Sequence, residues 1–403
     1  MKLLQINSVV NSGSTGRIAE EIGQTAMASG WDSYIAYGRN ERPSASKLIR
    51  IGNDMDVKLH GIQTRLFDRH GLASCRATRK LVKKIKEISP DIIHLHNIHG
   101  YYINIKILFD YLATVEIPVV WTFHDCWPIT GHCSYFTYAK CEKWKTQCYN
   151  CPQKSSYPAS YIIDRSKNNY ILKKELFNSV SNLTLIPVSN WLSDILKESF
   201  LQNYQIKVIH NGINTEVFKP YESSNFREKC GLKEKFILVG VASEWSRRKG
   251  LKDFIELSKQ LDSHYRIILV GLTKKQIKQL PKNIHGIART ENVQALAEIY
   301  AASDVFINPT YEDNFPTTNL ESLACGTPVI TYKTGGSPEA INESTGIIVE
   351  QGNITQLIEA IEQVRKNGKE HYADACVKRA HRLYNKEDRY QEYITLYESL
   401  LNK

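Results

Sequence analysis

The sequence predicts an α/β protein made of two doubly wound domains, each with a parallel sheet covered by helices. Three observations lead to this prediction. Short apolar runs alternate with helical patterns, which is typical of parallel strands joined by crossover helices. The alternation in the first half of the chain is repeated in the second half. The length of 403 residues also exceeds what a single hydrophobic core serves well.

The predicted strands form two series. In the first half they are Lys2–Asn7, Asp32–Tyr37, Ile92–His96, Val119–Phe123, Leu183–Pro187 and Lys207–His210. In the second half they are Phe236–Val241, Tyr265–Val270, Val305–Asn308, Val329–Tyr332 and Gly346–Val349. We expect the first domain to span residues 1–215 and the second to span 216–384. Residues 385–403, rich in Tyr, Leu and charge, predict a terminal helix that docks on a neighbouring domain.

Composition and charge restrict the class of protein. No apolar run approaches the roughly 18 residues that a membrane-spanning helix needs. The first residues predict a strand and not a signal peptide, so we expect a cytoplasmic protein. A formal charge of +10 suits nucleic acid, an anionic membrane or phosphorylated substrates. Because no nucleic-acid-binding module accompanies this charge, we expect no nucleic acid as a partner.

One basic segment, Arg76–Lys86, leaves two interpretations open. Its apolar Leu81, Val82 and Ile85 recur at helical spacing, so the segment predicts an amphipathic helix. The basic side of such a helix is either an ordinary solvated face or a peripheral contact with the inner face of the cytoplasmic membrane.

Ligands of open α/β sheets bind beyond the carboxyl ends of the strands, so the residues there are the candidate site residues. After the first strand, NSGSTGR supplies Gly13 and Gly16 beside a helix start that suits an anion. A tight turn without a ligand explains the same spacing. The segments NIHGYY and HDCW follow two further strands, and we expect His94 and His96 on the first of these strands to be structural. The predicted residues at the mouth of the crevice are Asn97, His99, His124 and Asp125.

The most informative segment reads INPTYEDNFPTTNLESLACGTPVITYKTGGSPEAI. Pro316 is expected to set the start of a helix, with Thr317 or Thr318 as its cap. Glu321 would follow about one turn into the helix with its carboxylate facing the crevice, and Asp313 lies just before the helix. Two carboxylates around a helix start can hold different hydroxyls while the helix attracts phosphate, and a sugar nucleotide offers both groups. Alternatively, the two acids only complement the helix dipole.

A basic turn, SRRKG, ends the first strand of the second half. Lys249 is suited to meet a pyrophosphate as a point charge, and Arg247 or Arg248 is suited to add a bidentate contact. Further along, Gly335 and Gly336 in TGGSPE either permit close approach of a ligand or form a plain turn.

Taken together, these segments resemble the family 4 glycosyltransferases of the GT-B fold, in which two Rossmann-like domains face a central cleft. The resemblance covers almost the whole chain. Within the family, the chain is similar to members that build capsule, colanic-acid, exopolysaccharide, lipopolysaccharide or O-antigen chains. The segments that carry it are NSGSTG, DIIHLHNIHG, TFHDCWPITGHC, PVSNW, HNGINTEVF, RRKG and DNFPTTNLESLACGTPVI.

The resemblance implies transfer of a sugar from a nucleoside-diphosphate sugar to a saccharide or lipid-linked saccharide, with retention of anomeric configuration and no metal in the transfer step. By position, Glu321 would hold the ribose hydroxyls, Asp313 would face the donor sugar, and Lys249 would stabilise the leaving diphosphate. His124 would line the sugar site. The other residues predicted to bind the donor are Gly13, Gly16, Arg248, Asn314, Phe315 and Thr317.

The sequence departs from the family pattern at a few positions. The acidic pair of the family is usually two glutamates, whereas the first acid here is Asp313. Pro316 stands where a glycine is common, and Ser243 and Glu244 stand where an arginine is often found.

Nine cysteines in a chain with no predicted secretory signal do not indicate a disulfide framework. The C-x2-C spacing within an insertion at 126–155 supplies two thiolates to one tetrahedral ion. The cluster therefore predicts a structural zinc site or, alternatively, reduced thiols packed with Trp144 and Tyr149. The four clustered residues are Cys133, Cys141, Cys148 and Cys151.

Three functional hypotheses follow from the sequence: a retaining glycosyltransferase, a GT-B-type sugar-nucleotide epimerase, and a basic nucleic-acid-binding or other binding protein. A transferase needs an acceptor, an epimerase converts the donor sugar unaided, and a nucleic-acid-binding protein shows a steep dependence on salt. We favour the first. The motifs mark the family and do not specify the donor base, the donor sugar or the acceptor.

Overall fold

The computed structural model describes residues 1–221, 224–229 and 231–402. The chain divides into two compact units: unit 1 comprises Met1–His210 and Tyr390–Lys403, and unit 2 comprises Asn211–Arg389. Each unit is an α/β domain with one sheet of parallel strands, as the sequence predicts. The division falls after His210, whereas the sequence placed it after residue 215.

Unit 1 has a seven-stranded sheet in the order β3-β2-β1-β4-β5-β6-β7. Its central strands are almost wholly buried, which is usual where helices cover both faces of a parallel sheet. Its elements are β1 Lys2–Val9, α1 Gly13–Ala28, β2 Asp32–Arg39, β3 Lys47–Arg50, α2 Asp54–Phe67, α3 Cys75–Ile88, β4 Ile92–Leu95, α4 Ile105–Leu112, β5 Val119–Phe123, α5 Ser166–Phe177, β6 Leu183–Pro187, α6 Asn190–Lys197 and β7 Gln205–Ile206.

Unit 2 has a six-stranded sheet in the order β10-β9-β8-β11-β12-β13. The elements from this part of the chain onward are α7 Ser224–Lys229, β8 Phe236–Val241, α8 Leu251–Gln260, β9 Tyr265–Val270, α9 Lys274–Lys278, β10 Ile284–Ile287, α10 Val293–Ala302, β11 Val305–Asn308, α11 Thr317–Ala324, β12 Val329–Tyr332, β13 Gly346–Val349, α12 Ile354–Asn367, α13 Glu370–Tyr384 and α14 Lys386–Leu401.

The strand order reverses once in each sheet, between β1 and β4 in unit 1 and between β8 and β11 in unit 2. Connections leave such a switch point in opposite directions, which opens a crevice beyond the carboxyl ends of the two strands. The segments singled out in the sequence follow these four strands or their neighbours β5 and β12. The fold therefore places the candidate residues where this class of sheet binds ligands.

The structure corrects the strand predictions at the edges of the sheets. The predicted strand Lys207–His210 is not a strand, and the last strand of unit 1 is the short β7 just before it. Lys207 still donates its N–H to Leu185 O at 3.0 Å, so the chain stays beside β6 without regular pairing. The strands β3 and β10 were not predicted. Both are edge strands of four residues with partly exposed side chains.

Helix α14 begins in unit 2 and continues into unit 1, which contains the chain from Tyr390 onward. In unit 1, the hydroxyl of Tyr393 lies 3.1 Å from Thr122 Oγ1, and the hydroxyl of Tyr397 lies 2.7 Å from His94 Nδ1. Both tyrosine side chains are buried. The terminal segment is thus part of the core of unit 1. None of the helices within the described ranges is long and apolar enough to cross a membrane.

Candidate active site

In unit 2, two glycines bring neighbouring segments against the loop that joins β11 to α11. Gly250 ends the basic turn after β8 with φ +73°, and a Cβ there would lie 2.2 Å from Pro309 O. Gly335, in the turn after β12, has φ +52°, and a Cβ there would lie 1.8 Å from Asp313 O. Only glycine fits both the backbone conformation and the close approach at these positions. The loop that carries Asp313 is therefore held between two glycine turns.

The side chains of Lys249 and Asp313 meet at this loop. The ammonium of Lys249 forms an ion pair with Asp313 Oδ2, and the two side chains are 20% and 14% exposed. Asp313 Oδ1 accepts the N–H of Asn314 at 3.0 Å. The structure thus brings together the residue assigned to the diphosphate and the residue assigned to the donor sugar. Their partial burial strengthens the interaction relative to a pair in bulk water.

Arg248 fixes the basic turn to the same loop. Its guanidinium donates to Glu312 O at 2.6 Å, and its own carbonyl accepts the N–H of Tyr311 at 2.8 Å. The sequence predicted a phosphate contact for this arginine. That contact stays a prediction. The contacts seen here add a second role, because Arg248 positions the loop that carries Asp313, and the spacing of the basic residues does not reveal this role.

Helix α11 starts without a side-chain cap. Pro316 is its N-cap residue, with φ −68° and ψ 118°, and Thr317 is its first helical residue. The prediction that Thr317 or Thr318 caps the helix is therefore wrong, because the proline already has the extended backbone of the N-cap and the helix begins one residue after it. With no side chain bonded across the first turn, the positive end of the helix dipole suits a phosphate group.

Asn314 and Phe315 are buried at 2% and 4% exposure. The ring of Phe315 lies 5.7 Å from that of Tyr384, and its carbonyl accepts a hydrogen bond from the side-chain amide of Asn211 at 3.2 Å. Phe315 therefore anchors the loop to the core of unit 2. The sequence placed both residues at the donor, which stays a prediction, and their burial adds support of the loop to that role.

Glu321 is the fifth residue of α11 and is only 3% exposed. Its carboxylate accepts a hydrogen bond from the hydroxyl of Tyr300 on α10 at 3.2 Å. The sequence predicted a carboxylate facing the crevice, which stays a prediction, and the structure shows that the residue is almost entirely buried. A buried carboxylate requires hydrogen-bond donors, and Tyr300 supplies one of them. Sequence reasoning missed Tyr300 because its spacing in α10 is that of an ordinary core residue.

In unit 1, the ends of β4 and β5 bring His99 and Asp125 into contact. His99 Nε2 lies 2.9 Å from Asp125 Oδ2, and both side chains are nearly buried. The other oxygen of Asp125 accepts the N–H of Trp127 at 2.9 Å. Burial acts to raise the pKa of Asp125, but His99 and the bond from Trp127 outweigh it, so the pKa lies below its usual value. Asn97, also predicted here, accepts the hydroxyl of Tyr102 at its carbonyl, at 2.8 Å.

A chain of hydrogen bonds fixes the tautomer of His124. Gln5 Nε2 donates to Ala19 O at 2.7 Å, so Gln5 Oε1 is the atom that lies 2.9 Å from His96 Nε2. Burial lowers the pKa of His96 well below its usual value, so this ring is neutral. His96 Nε2 therefore carries the proton, and His96 Nδ1 must accept from His124 Nε2 at 3.2 Å.

The same reasoning extends to the second ring. Burial lowers the pKa of His124 to about 4, against a smaller opposing effect of Asp125. The neutral ring holds its proton on Nε2, so Nδ1 of His124 is an acceptor only. His96, which the sequence assigned a structural role, is thus the residue that orients His124.

In the loop after β1, packing explains the glycine at one of the two positions predicted to bind the donor, Gly16. A Cβ on Gly16 would lie 3.0 Å from Val9 Cγ2 and 3.1 Å from Asn11 N, so glycine lets α1 pack against the end of β1. Gly13 has φ +64° and nothing within 4 Å of where a Cβ would stand. It is the first residue of α1, whose N-cap Ser12 makes no side-chain cap bond.

The four clustered cysteines line one small cavity, but they do not form a metal site. Across the described parts of the chain, no three or more His, Cys, Asp or Glu side chains are arranged as ligands of one ion. The neighbouring thiols of Cys133 and Cys151 shift each other's pKa, raising that of Cys133 and lowering that of Cys151 to about 7. Burial raises the pKa of Cys148 to about 11. Cys141 completes the cluster, and Trp144 and Tyr149 line the same cavity, as in the alternative of packed thiols.

Comparisons with known proteins agree with this arrangement. The family model of Glycosyltransferase Family 4 matches residues 15–217, and that of Glycosyl transferases group 1 matches residues 222–383. The putative colanic acid biosynthesis glycosyl transferase WcaC of Escherichia coli K12 is 23% identical over 427 aligned positions, which cover 99% of this chain and 100% of that protein.

Two solved structures have the same fold along their whole length. Sucrose-phosphate synthase from Thermosynechococcus elongatus has a TM-score of 0.75 at 17% identity and covers 100% of this chain and 99% of its own. Anabaena Alr3699/HepE in complex with UDP-glucose has a TM-score of 0.69 at 16% identity and covers 99% of this chain and 100% of its own.

Proposed function

The chain belongs to glycosyltransferase family 4 and is a glycosyltransferase of the GT-B type, and from this membership we propose that it retains the anomeric configuration of a nucleoside-diphosphate sugar donor. The observation that carries the proposal is the contact between Lys249 and Asp313 beside the uncapped start of α11. A cation and a helix N-terminus suit a diphosphate, and the adjacent carboxylate suits the hydroxyls of a sugar.

The reaction breaks the bond between the anomeric carbon and the diphosphate oxygen. The electron pair leaves with the diphosphate, the acceptor hydroxyl oxygen bonds to the anomeric carbon, and the hydroxyl proton is released. We assign Lys249 to the negative charge that develops on the diphosphate and Asp313 to the donor sugar. Glu321 is assigned to the ribose hydroxyls and His124 Nδ1 to a sugar hydroxyl that donates to it.

The donor and acceptor classes rest on the relatives. Alr3699/HepE, which has the same fold, is described in complex with UDP-glucose, which supports a nucleotide-sugar donor for this chain. WcaC is described as a colanic acid biosynthesis enzyme. We therefore propose a saccharide or lipid-linked saccharide acceptor in the synthesis of a bacterial surface polysaccharide such as capsule, exopolysaccharide or O-antigen.

A thermal-shift panel of nucleoside-diphosphate sugars tests the proposal. A donor that binds only the folded chain stabilises it by about 2.7 kcal/mol at a concentration of about 100 times Kd, so we expect one donor to raise the Tm clearly above the others. The same donor should release nucleoside diphosphate slowly alone and faster when acceptor is added. Conversion of the donor sugar without an acceptor would favour an epimerase, and no stabilisation by any donor would contradict the proposal.

The tautomer chain of His124 gives a second testable result. Replacing His96 with leucine removes the acceptor that holds the proton on His124 Nε2, so His124 Nδ1 no longer stays an obligatory acceptor. We expect His96→Leu to lower kcat/KM for the donor about tenfold, the worth of one hydrogen bond. His96→Asn, whose side-chain oxygen can stand near the former Nδ1, should recover part of that loss.

Tyr397→Phe is the matched control for this series, because it removes a buried hydrogen bond to His94 but leaves the Gln5–His96–His124 chain unchanged. Steady-state kinetics and Tm are measured for all three variants. We expect Tyr397→Phe to lower Tm and to leave kcat/KM close to the parent value. His96 acts only on stability if His96→Leu and His96→Asn lose kcat/KM equally and each loss is proportional to the loss of Tm.

A further inference from the structure

Helix α2 has its polar face inside and its apolar face outside. The buried residues of the helix are His60, Gly61 and Thr64. On the opposite side, Met55, Leu59 and Ile62 are 60%, 51% and 49% exposed. Their spacing of four and three residues places these apolar side chains in one stripe on the helix surface. Such a stripe normally faces the core, and here it faces solvent.

A loop of unit 1 with exposed apolar side chains is bound to the end of this helix. Tyr161 donates its N–H to Arg65 O at 2.8 Å, and Ile163 donates its N–H to Leu66 O at 3.3 Å, so the loop is bound to the last turn of α2. We call the exposed apolar side chains of the helix and the loop the apolar ridge; they are Met55, Leu59, Ile62, Phe67, Tyr161, Ile162 and Ile163.

The apolar ridge contains a large share of the exposed apolar side chains. Its seven residues are half of the 14 large apolar side chains that are exposed in the described part of the chain. Scattered apolar residues on a surface need no explanation, whereas a cluster of this kind marks an interaction site. Ile162 is 66% exposed, the highest value among them.

The next helix of unit 1 carries a strongly basic exposed face. Helix α3 buries Ala77, Leu81 and Ile85 against the core and exposes six basic side chains and one acid. The acid, Glu87, is paired with Lys84 at 2.9 Å. The exposed basic residues are Arg76, Arg79, Lys80, Lys83, Lys84 and Lys86. The two helices are joined by a hydrogen bond of 2.8 Å between His60 Nδ1 on α2 and Ser74 Oγ at the start of α3.

We propose that the apolar ridge and the basic face of α3 together form a docking surface for an anionic phospholipid bilayer. Apolar side chains enter the boundary between headgroups and acyl chains, and neighbouring lysines and arginines attract anionic headgroups. A second copy of the chain would bring the same cationic face against itself, which charge repulsion opposes. This proposal rests on the proposed function in one respect: the docking surface gives the enzyme access to a lipid-linked acceptor held in the bilayer.

Vesicle co-sedimentation tests the docking surface without donor or acceptor. We expect the chain to bind phosphatidylcholine vesicles that contain about 30% phosphatidylglycerol and to bind pure phosphatidylcholine at least about tenfold more weakly. The triple variant Leu59→Ser/Ile62→Ser/Ile162→Ser and the charge variant Arg79→Glu/Lys83→Glu should each weaken binding about tenfold or more. Because all five side chains are exposed, Tm and donor-induced stabilisation should stay at parent values.

The control is Val293→Ser/Ile348→Ser, which removes two apolar side chains of unit 2 that are 42% and 45% exposed. It should bind vesicles as the parent does. Equal binding of the parent, the triple variant and the charge variant would overturn the proposal. A parent dimer in light scattering that the triple variant converts to a monomer, with vesicle binding unchanged, would instead assign the apolar ridge to self-association. Donor-induced stabilisation is measured separately, so loss of donor binding and loss of membrane binding are distinguishable.

Discussion

Replacing Lys249 with alanine is expected to lower kcat by about 100- to 1,000-fold, the usual cost of removing one preorganised group that stabilises transition-state charge. Lys249 lies at the end of a turn that packs closely against the β11–α11 loop, because Gly250 has no Cβ. The position of the Lys249 ammonium is therefore set before a donor binds. Charge on the diphosphate grows as the bond to the sugar breaks. The loss should therefore fall mainly on kcat, with a smaller change in KM for the donor.

The observed ion pair offers a competing explanation, in which Lys249 matters only as the partner of Asp313. The double variant Lys249→Ala/Asp313→Asn separates the two. If the pair is only structural, removing both charges should restore Tm and activity together. If Lys249 acts on the diphosphate and Asp313 on the donor sugar, the double variant should recover Tm and be at least as slow as Lys249→Ala.

Lys252→Ala is the matched control for charge. It removes the same charge from the exposed side of α8, three residues further along the chain. We expect it to keep parent kcat, measured as release of nucleoside diphosphate in the presence of acceptor. Parent activity in Lys249→Ala, or an equal loss in Lys252→Ala, would contradict the assignment of Lys249.

The centre of each sheet could be predicted from the sequence, and the edges could not. Strands such as β5 and β6 are buried along their whole length, so their residues are apolar apart from one threonine in each strand. The edge strands β3 and β10 are half-exposed runs of four residues, and their mixed composition resembles that of a loop. Burial on both faces is what makes a parallel strand visible in a sequence.

Helix α2 shows a second limit of prediction from the sequence. The spacing of Met55, Leu59 and Ile62 indicates one apolar stripe, but the period of a helix does not say which side faces the core. That choice depends on His60, whose ring bonds to Ser74 and accepts the N–H of Gly71 at 3.1 Å. These are long-range contacts, and they turn the stripe outward.

The candidate site was predictable as a set of segments and not as a set of contacts. Strand order fixed where the segments following β8 and β11 meet, so the nearness of Lys249 and Asp313 followed from the fold. The contacts of Arg248 and Phe315 depend on side-chain directions that motif spacing does not contain. The cysteines show the same limit. Their C-x2-C spacing indicates how many thiols are available as ligands, but it does not give the geometry of a metal site.

Replacing Glu321 with alanine is expected to weaken donor binding by about 10- to 150-fold, since one hydrogen bond to a charged group contributes about 1.5–3 kcal/mol. The proposal assigns the carboxylate to the ribose hydroxyls, which are remote from the breaking bond. The loss should therefore appear mainly in KM for the donor and in Kd for the nucleoside diphosphate. Tyr300→Phe, which removes the hydroxyl bonded to Glu321 but keeps the ring, should cause a smaller loss.

A cycle of variants and nucleotide analogues tests this assignment directly. The parent chain and Glu321→Ala are titrated with the nucleoside diphosphate that the donor panel identifies and with its 2′-deoxy and 3′-deoxy analogues. If Glu321 holds a ribose hydroxyl, the parent should bind at least one deoxy analogue about tenfold or more weakly than the ribonucleotide. Glu321→Ala should bind that analogue and the ribonucleotide equally, because the partner of the hydroxyl is already gone. The same penalty in both chains would place the ribose elsewhere and would leave Glu321, bonded to Tyr300, as a residue that supports the start of α11.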